Sequence, residues 1–235
     1  MVFLIFTRNG QSTNITSLAE AEESNQLEHW KPDPDASITM EGDIEARKLA
    51  LGMNYEYLES TLGIISSVHI CASPERAALE SSIHIAEQLG NRTLNLIGGL
   101  RYNLNNYQVN ERIRFTQGIV MMNGINANTS TLGDGSFFNT NDDNTPPMQQ
   151  LYTCLINNFQ DDDDDENGNE NDVFLIITNS TIINLLLKDI VVNDNINYAM
   201  MNTGATCIEI NNNNDMILHY VNRIDHVLLT LDARL

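Results

Sequence analysis

Basic residues are scarce in this chain: 12 Lys and Arg stand against 32 Asp and Glu, a formal net charge of −20. Such a balance repels phosphate backbones and anionic lipid, which argues against direct contact with nucleic acid or a membrane surface. It leaves protein partners, basic ones included. Cysteine is scarce too. Cys71, Cys154 and Cys207 are odd in number, widely scattered and without metal-ligand spacing, so they read as free thiols in a reducing compartment. No apolar run is long enough for a membrane span, and the amino terminus lacks the basic start and core length of a secretory signal. The expected location is cytoplasmic or nuclear. His29, His69, His84, His219 and His226 fall in different elements with no pairing at metal-ligand spacing, so neither metal nor cofactor is expected. Asp163 to Gly168 begins like a calcium loop, but its twelfth position is Phe174 where a bidentate glutamate is required. Ser12, Ser73 and Ser180 have no histidine within their motifs, and there is no Walker loop or dinucleotide fingerprint.

What is present is an alternation of buried strands and helices. Val2 to Phe6 is an apolar run that stops at the polar, glycine-containing turn Thr7-Arg8-Asn9-Gly10, the pattern of a strand buried on both faces of a parallel sheet. Ligands of such sheets bind beyond the carboxyl ends of the strands, so Arg8 to Thr13 is the first place to look for function. Ser17 to Glu28 reads as a short helix or a polar excursion. Thr39 caps a helix whose apolar positions recur through Leu62. Ile64 to Cys71 is a second strand, Ala72-Ser73-Pro74 a turn into a helix over 75–89, and Thr93 to Ile97 a third strand. Residues 101–147 form an Asn-rich insertion, with Gly118 to Met122 a candidate fragment of regular structure. An amphipathic helix follows Pro147 as far as Phe159, and residues 160–172 form an acidic, extended loop. Val173 to Ile177 is a strand ending in Thr178-Asn179-Ser180 and a helix over 182–190, and Cys207 to Tyr220 a hairpin. The expected architecture is one domain over 1–235, a three-layer α/β/α sandwich on a mostly parallel central sheet.

Five segments, in order, resemble the signatures of the histidine phosphatase (phosphoglycerate mutase-like) superfamily. They are Thr7-Arg8-Asn9-Gly10, Ile38-Thr39-Met40-Glu41-Gly42, Ala72-Ser73-Pro74-Glu75-Arg76-Ala77-Ala78-Leu79-Glu80-Ser81-Ser82, Leu100-Arg101-Tyr102 and Thr178-Asn179-Ser180. The resemblance implies a phosphoglycerate mutase-like fold in which a first histidine carries the phosphoryl group, arginines and a second histidine neutralise its charge, and a carboxylate handles the proton. It also places Asn9 and Asn179 where the two histidines belong and Tyr102 where the carboxylate belongs. An amide nitrogen delocalised into its carbonyl is no nucleophile, and an asparagine carries no positive charge. Arg8 matches its motif directly. Arg76 lies one residue before the position of the second arginine, which is Ala77, and one residue on a helix is about 100° of rotation.

The pocket implied by Arg8, Asn9, Arg76, Tyr102 and Asn179 is therefore vestigial, with no catalytic residue. The two asparagines read either as polar filler or as the amide lining of a retained anion pocket. The resemblance then points to a degenerate, inactive member acting as a scaffold or interaction subunit of a larger complex, as members in fungal RNA polymerase III transcription-factor complexes do. The alternatives are a phosphatase with residual or rewired activity and a phospho-ligand sensor.

Overall fold

The computed structural model describes residues 1–31, 33, 36–90, 93–100, 126–128, 138, 145–159, 171–191 and 197–228. Its elements are β1 (Val2–Arg8), α1 (Thr13–Glu23), α2 (Met40–Gly52), α3 (Tyr55–Leu62), β2 (Ile65–Ala72), α4 (Arg76–Gln88), β3 (Thr93–Leu96), β4 (Asn126–Asn128), α5 (Pro147–Phe159), β5 (Asn171–Thr178), α6 (Ser180–Lys188), β6 (Ala205–Ile210) and β7 (Met216–Arg223). The strands form one sheet in the order β4-β3-β2-β5-β1-β6-β7. The first five are parallel, and the β6–β7 hairpin adds antiparallel to β1.

Strand alternation divides the core in two. Phe3, Ile5, Val68, Ile70, Val173 and Leu175 face α2, α3 and α4, where Leu49, Leu58 and Ile85 meet them. Leu4, Phe6, Cys71, Phe174 and Ile176 face α5 and α6, where Leu151, Leu155, Ile183 and Leu186 meet them. The uninterrupted apolar runs of β1 and β5 are thus two interleaved faces, as a sheet covered on both sides requires. The expected three-layer α/β/α class with a mostly parallel sheet is what forms.

Several boundaries differ from those expected. α1 starts at Thr13, four residues early, and the chain turns out of it at Asn25, whose φ is 56°. The single helix expected from Thr39 to Leu62 is two, because Asn54 ends one and caps the other. Its Nδ2 donates to the Leu51 carbonyl at 3.0 Å and its Oδ1 accepts from the Tyr57 N–H at 2.9 Å. β5 takes the last two residues of the acidic stretch. Asp172 accepts hydroxyl hydrogen bonds from Ser66 and Ser67 at 2.8 and 2.6 Å, and the Asn171 amide donates to the Leu62 carbonyl at 2.7 Å. Within the Asn-rich insertion, Asn126–Asn128 pairs with β3 in parallel. The Gly118–Met122 fragment and residues 160–170 lie outside the described residues.

The hairpin is where expected, and its asparagines have a job. Asn211 Oδ1 accepts from the N–H groups of Asn213 and Asp215 at 2.9 Å each, and Asn214 adopts φ 62°. Asparagine supplies both the side-chain acceptor and the tolerance of left-handed backbone that this turn needs.

Candidate functional site

Three turns meet beyond the carboxyl ends of the central strands. The Asn9 N–H donates to the Thr178 carbonyl at 2.8 Å and the Ser73 N–H to the Ile177 carbonyl at 2.9 Å, tying the ends of β1, β5 and β2 together. Arg8 pairs with Thr178 in the ladder, and Ser73 follows Ala72, the partner of Ile177. Sheet alternation therefore sets Arg8, Thr178 and Ser73 in one row on the α6 side. The Ser73 and Thr178 hydroxyl oxygens are buried with no hydrogen-bond partner among the described residues.

The turn after β1 is pressed against the start of α2. A Cβ on Gly10 would lie 2.2 Å from the Gly42 carbonyl oxygen, and one on Gly42 would lie 2.1 Å from that of Gln11. Only two glycines permit this approach. Thr39, the expected cap, accepts from the Gly42 N–H at 3.0 Å and donates to Gln11 Oε1 at 2.8 Å, while its own N–H donates to the Gln11 carbonyl at 2.8 Å. From the other side the Gly10 N–H donates to Ser81 Oγ on α4 at 3.1 Å.

Of the expected site residues, Arg8, Asn9 and Asn179 come together here. Arg8 reaches across to donate to the Met200 carbonyl. Asn9 is 7% exposed, and its Nδ2 donates to the Gly10 carbonyl at 2.8 Å. Asn179 caps α6, accepting from the Ile182 N–H at 3.0 Å, and its Nδ2 donates to Glu75 Oε1 at 3.3 Å. Arg76 turns elsewhere: its Nε donates to Glu80 Oε1 at 2.7 Å, and it lines a groove between α2 and α4 whose walls include neither Arg8 nor either asparagine. Tyr102 lies outside the described residues.

Two carboxylates at these turns were not anticipated. Glu45 on α2 accepts from the Gln11 N–H at 2.7 Å and from Asn202 Nδ2 at 3.2 Å. Burial lowers the Arg8 pKa, and the negative charge of Glu45 opposes that loss. Glu75, the N-cap residue of α4, is the partner of Asn179. In sequence both are acids among many. The available cue was Glu75 following Ser73-Pro74 directly in a matched motif.

No protein-family model matches the sequence, and no curated protein matches it. Solved structures do. A mutant phosphoserine phosphatase from Entamoeba histolytica, in complex with phosphoserine, has a TM-score of 0.52 at 18% identity, covering 97% of this chain and 100% of that one. YhfR from Bacillus stearothermophilus has a TM-score of 0.57 at 16% identity, covering 97% and 100%. Mycobacterial glucosyl-3-phosphoglycerate phosphatase has a TM-score of 0.53 at 13% identity, covering 94% and 98%. The chain has the histidine phosphatase fold.

At such identities the match carries architecture, and the chemistry must be read from the residues of this chain. In this histidine phosphatase fold the described strand-end turns contribute Arg8, the amides of Asn9, Gln11 and Asn179 and the carboxylate of Glu75, and α2 adds that of Glu45. An amide donates and accepts hydrogen bonds but neither attacks phosphorus nor bears charge. Carboxylates repel a phosphate group, and Glu75 accepts from the Asn179 amide.

The loop that meets Arg8 is held from behind by a histidine. His226 Nε2 lies 2.9 Å from Thr203 Oγ1, and Thr203 itself has φ 57°. His226 is 6% exposed, and burial pushes its pKa down to about 4. A base whose folded-state pKa lies below its unfolded value binds fewer protons when folded. Its contribution is therefore complete above about pH 6.5 and is lost as pH falls toward about 4, up to roughly 3 kcal/mol. Urea midpoints at pH 7 and 4.5 are expected to differ more for the wild-type chain than for His226→Gln. Equal differences would mean that His226 charges freely in the folded state.

Proposed function

We propose that this chain is a histidine-phosphatase fold without phosphoryl-transfer activity, serving as a protein-interaction or scaffold subunit. One observation carries the reading: the residue after β1, in the nucleophile's motif position, is an asparagine whose amide is turned onto its own turn, Nδ2 to the Gly10 carbonyl at 2.8 Å. Its nitrogen lone pair is delocalised into the carbonyl and unavailable for phosphorus. The engagement of Asn179 by the α6 N-terminus and by Glu75 supports the same view. With the anchoring chemistry gone, the fold still offers rigid helices and loops to a partner.

The test is hydrolysis of p-nitrophenyl phosphate by the wild-type chain beside Arg8→Ala and Asn9→Ala, each checked for native circular dichroism. The wild-type rate is expected to equal that of both variants. Turnover well above either would establish a rewired phosphatase instead. The carboxylates at the turns also weigh against a phosphate sensor, so millimolar inorganic phosphate is expected to leave the melting temperature unchanged; a rise would restore that reading.

A further inference from the structure

α1 is an element without a core. None of its residues is buried. Its root is fixed: the Thr13 N–H donates to the Ser37 carbonyl at 2.9 Å, and the Asn14 side chain exchanges hydrogen bonds with the Asp33 backbone at 2.8 Å each way. Among the described residues, α1 beyond its root packs chiefly against the short turn Leu27–His29. Eleven residues make a marginal helix unless tertiary packing supports them.

Its charges make matters worse. The first turn has no acidic residue and the last has no basic one, while Glu20, Glu22 and Glu23 crowd the carboxyl end. Negative charge at that end opposes the helix dipole. Residues 9–30 contain no lysine or arginine, Lys31 follows Trp30 directly, and Glu28 adds a fourth acid. Beside these acids stand Leu27, 50% exposed, and Trp30, whose Nε1 donates to Ser17 Oγ at 3.1 Å. An exposed leucine and a half-buried tryptophan stand beside acids that form no ion pair among the described residues. The surface that complements them is both apolar and basic.

We propose that α1 and the turn after it, residues 13–30, are the docking surface for a basic amphipathic helix of a partner protein. This rests on the interaction-module reading above and adds its place and chemistry. The partner's leucine-type side chains cover Leu27 and Trp30, and its lysines or arginines neutralise Glu20, Glu22, Glu23 and Glu28.

Trp30 is the single tryptophan of the chain, so the surface carries its own reporter. The probe is a synthetic peptide with leucines at helical spacing, lysines elsewhere and no tryptophan, titrated into the full chain. Saturable binding with a blue shift of Trp30 emission is expected. Affinity should fall about tenfold or more in Leu27→Ser and in the triple variant Glu20→Lys, Glu22→Lys, Glu23→Lys. All four positions are exposed, so these variants retain the fold. Polylysine of matched charge should bind more weakly and leave the emission in place. The proposal is overturned by an absence of saturable binding, by binding that is silent at Trp30 and unchanged in the triple variant, or by polylysine matching the peptide. None of those results would bring back phosphatase activity, which the aryl phosphate assay decides separately.

Discussion

Gly42→Ala is expected to lower the unfolding free energy by about 3 kcal/mol, and by more if α2 cannot slide away from the turn after β1. The added methyl would stand 2.1 Å from the Gln11 carbonyl oxygen and 2.9 Å from the Gln11 nitrogen, both backbone atoms that no rotamer change can clear. Moving them breaks a connected set of bonds. The Thr39 cap, the Thr39 to Gln11 backbone bond and the Gly10 bond to Ser81 all assume the present separation. Gly90→Ala is the control. Gly90 has φ +63° but nothing within 4 Å of its would-be Cβ, so it should cost only about 1 kcal/mol for the left-handed backbone. Guanidinium unfolding of both variants makes the comparison. Similar losses would mean that the close approach is not what fixes the turn.

That contact gives two of the segments from which the fold was legible their physical content. Gly10, Gly42 and the Thr39 cap are demanded by the backbone geometry of this chain. Asn9 and Asn179 meet no such demand, since an amide fits those turns, caps α6 and bonds locally. The β1 and β5 runs, the cap of α2 and the Asn211 turn were readable because each depends on neighbours in sequence. The break at Asn54 was not, although its bonds to Leu51 and Tyr57 are local, because the helical spacing of apolar residues runs through it without interruption. Beside it, the backbone at Gly52 is crowded by His226, whose Cβ lies 2.4 Å from the position a Gly52 Cβ would take. Arg76 illustrates a half-legible case. Its mismatch with the motif was visible, and the Glu80 four residues on that receives it is an ordinary helix pair.

Glu45 was invisible for another reason. On an acidic helix nothing distinguishes it from Glu41 or Asp43 until tertiary structure brings Gln11 and Asn202 to it. Its removal should be felt at three places. Glu45→Ala leaves the Gln11 N–H without its 2.7 Å acceptor, frees the Asn202 amide, and leaves partly buried Arg8 without the negative charge that offsets its desolvation. An unsatisfied, partly buried donor with a weakened charge pairing amounts to about 2–3 kcal/mol. Glu45→Gln keeps one acceptor oxygen and should cost about 1 kcal/mol, mostly through Arg8. In an Arg8→Met background the penalty of Glu45→Ala should shrink by about 1 kcal/mol, the coupling expected between charges sharing one site. Urea midpoints across this cycle measure all of it. A loss within about 0.5 kcal/mol for Glu45→Ala would place Glu45 among ordinary surface acids. A full loss that does not change with Arg8→Met would assign the whole effect to Gln11 and Asn202, making Glu45 a clasp for the turn and the 197–204 loop, with no electrostatic role toward Arg8.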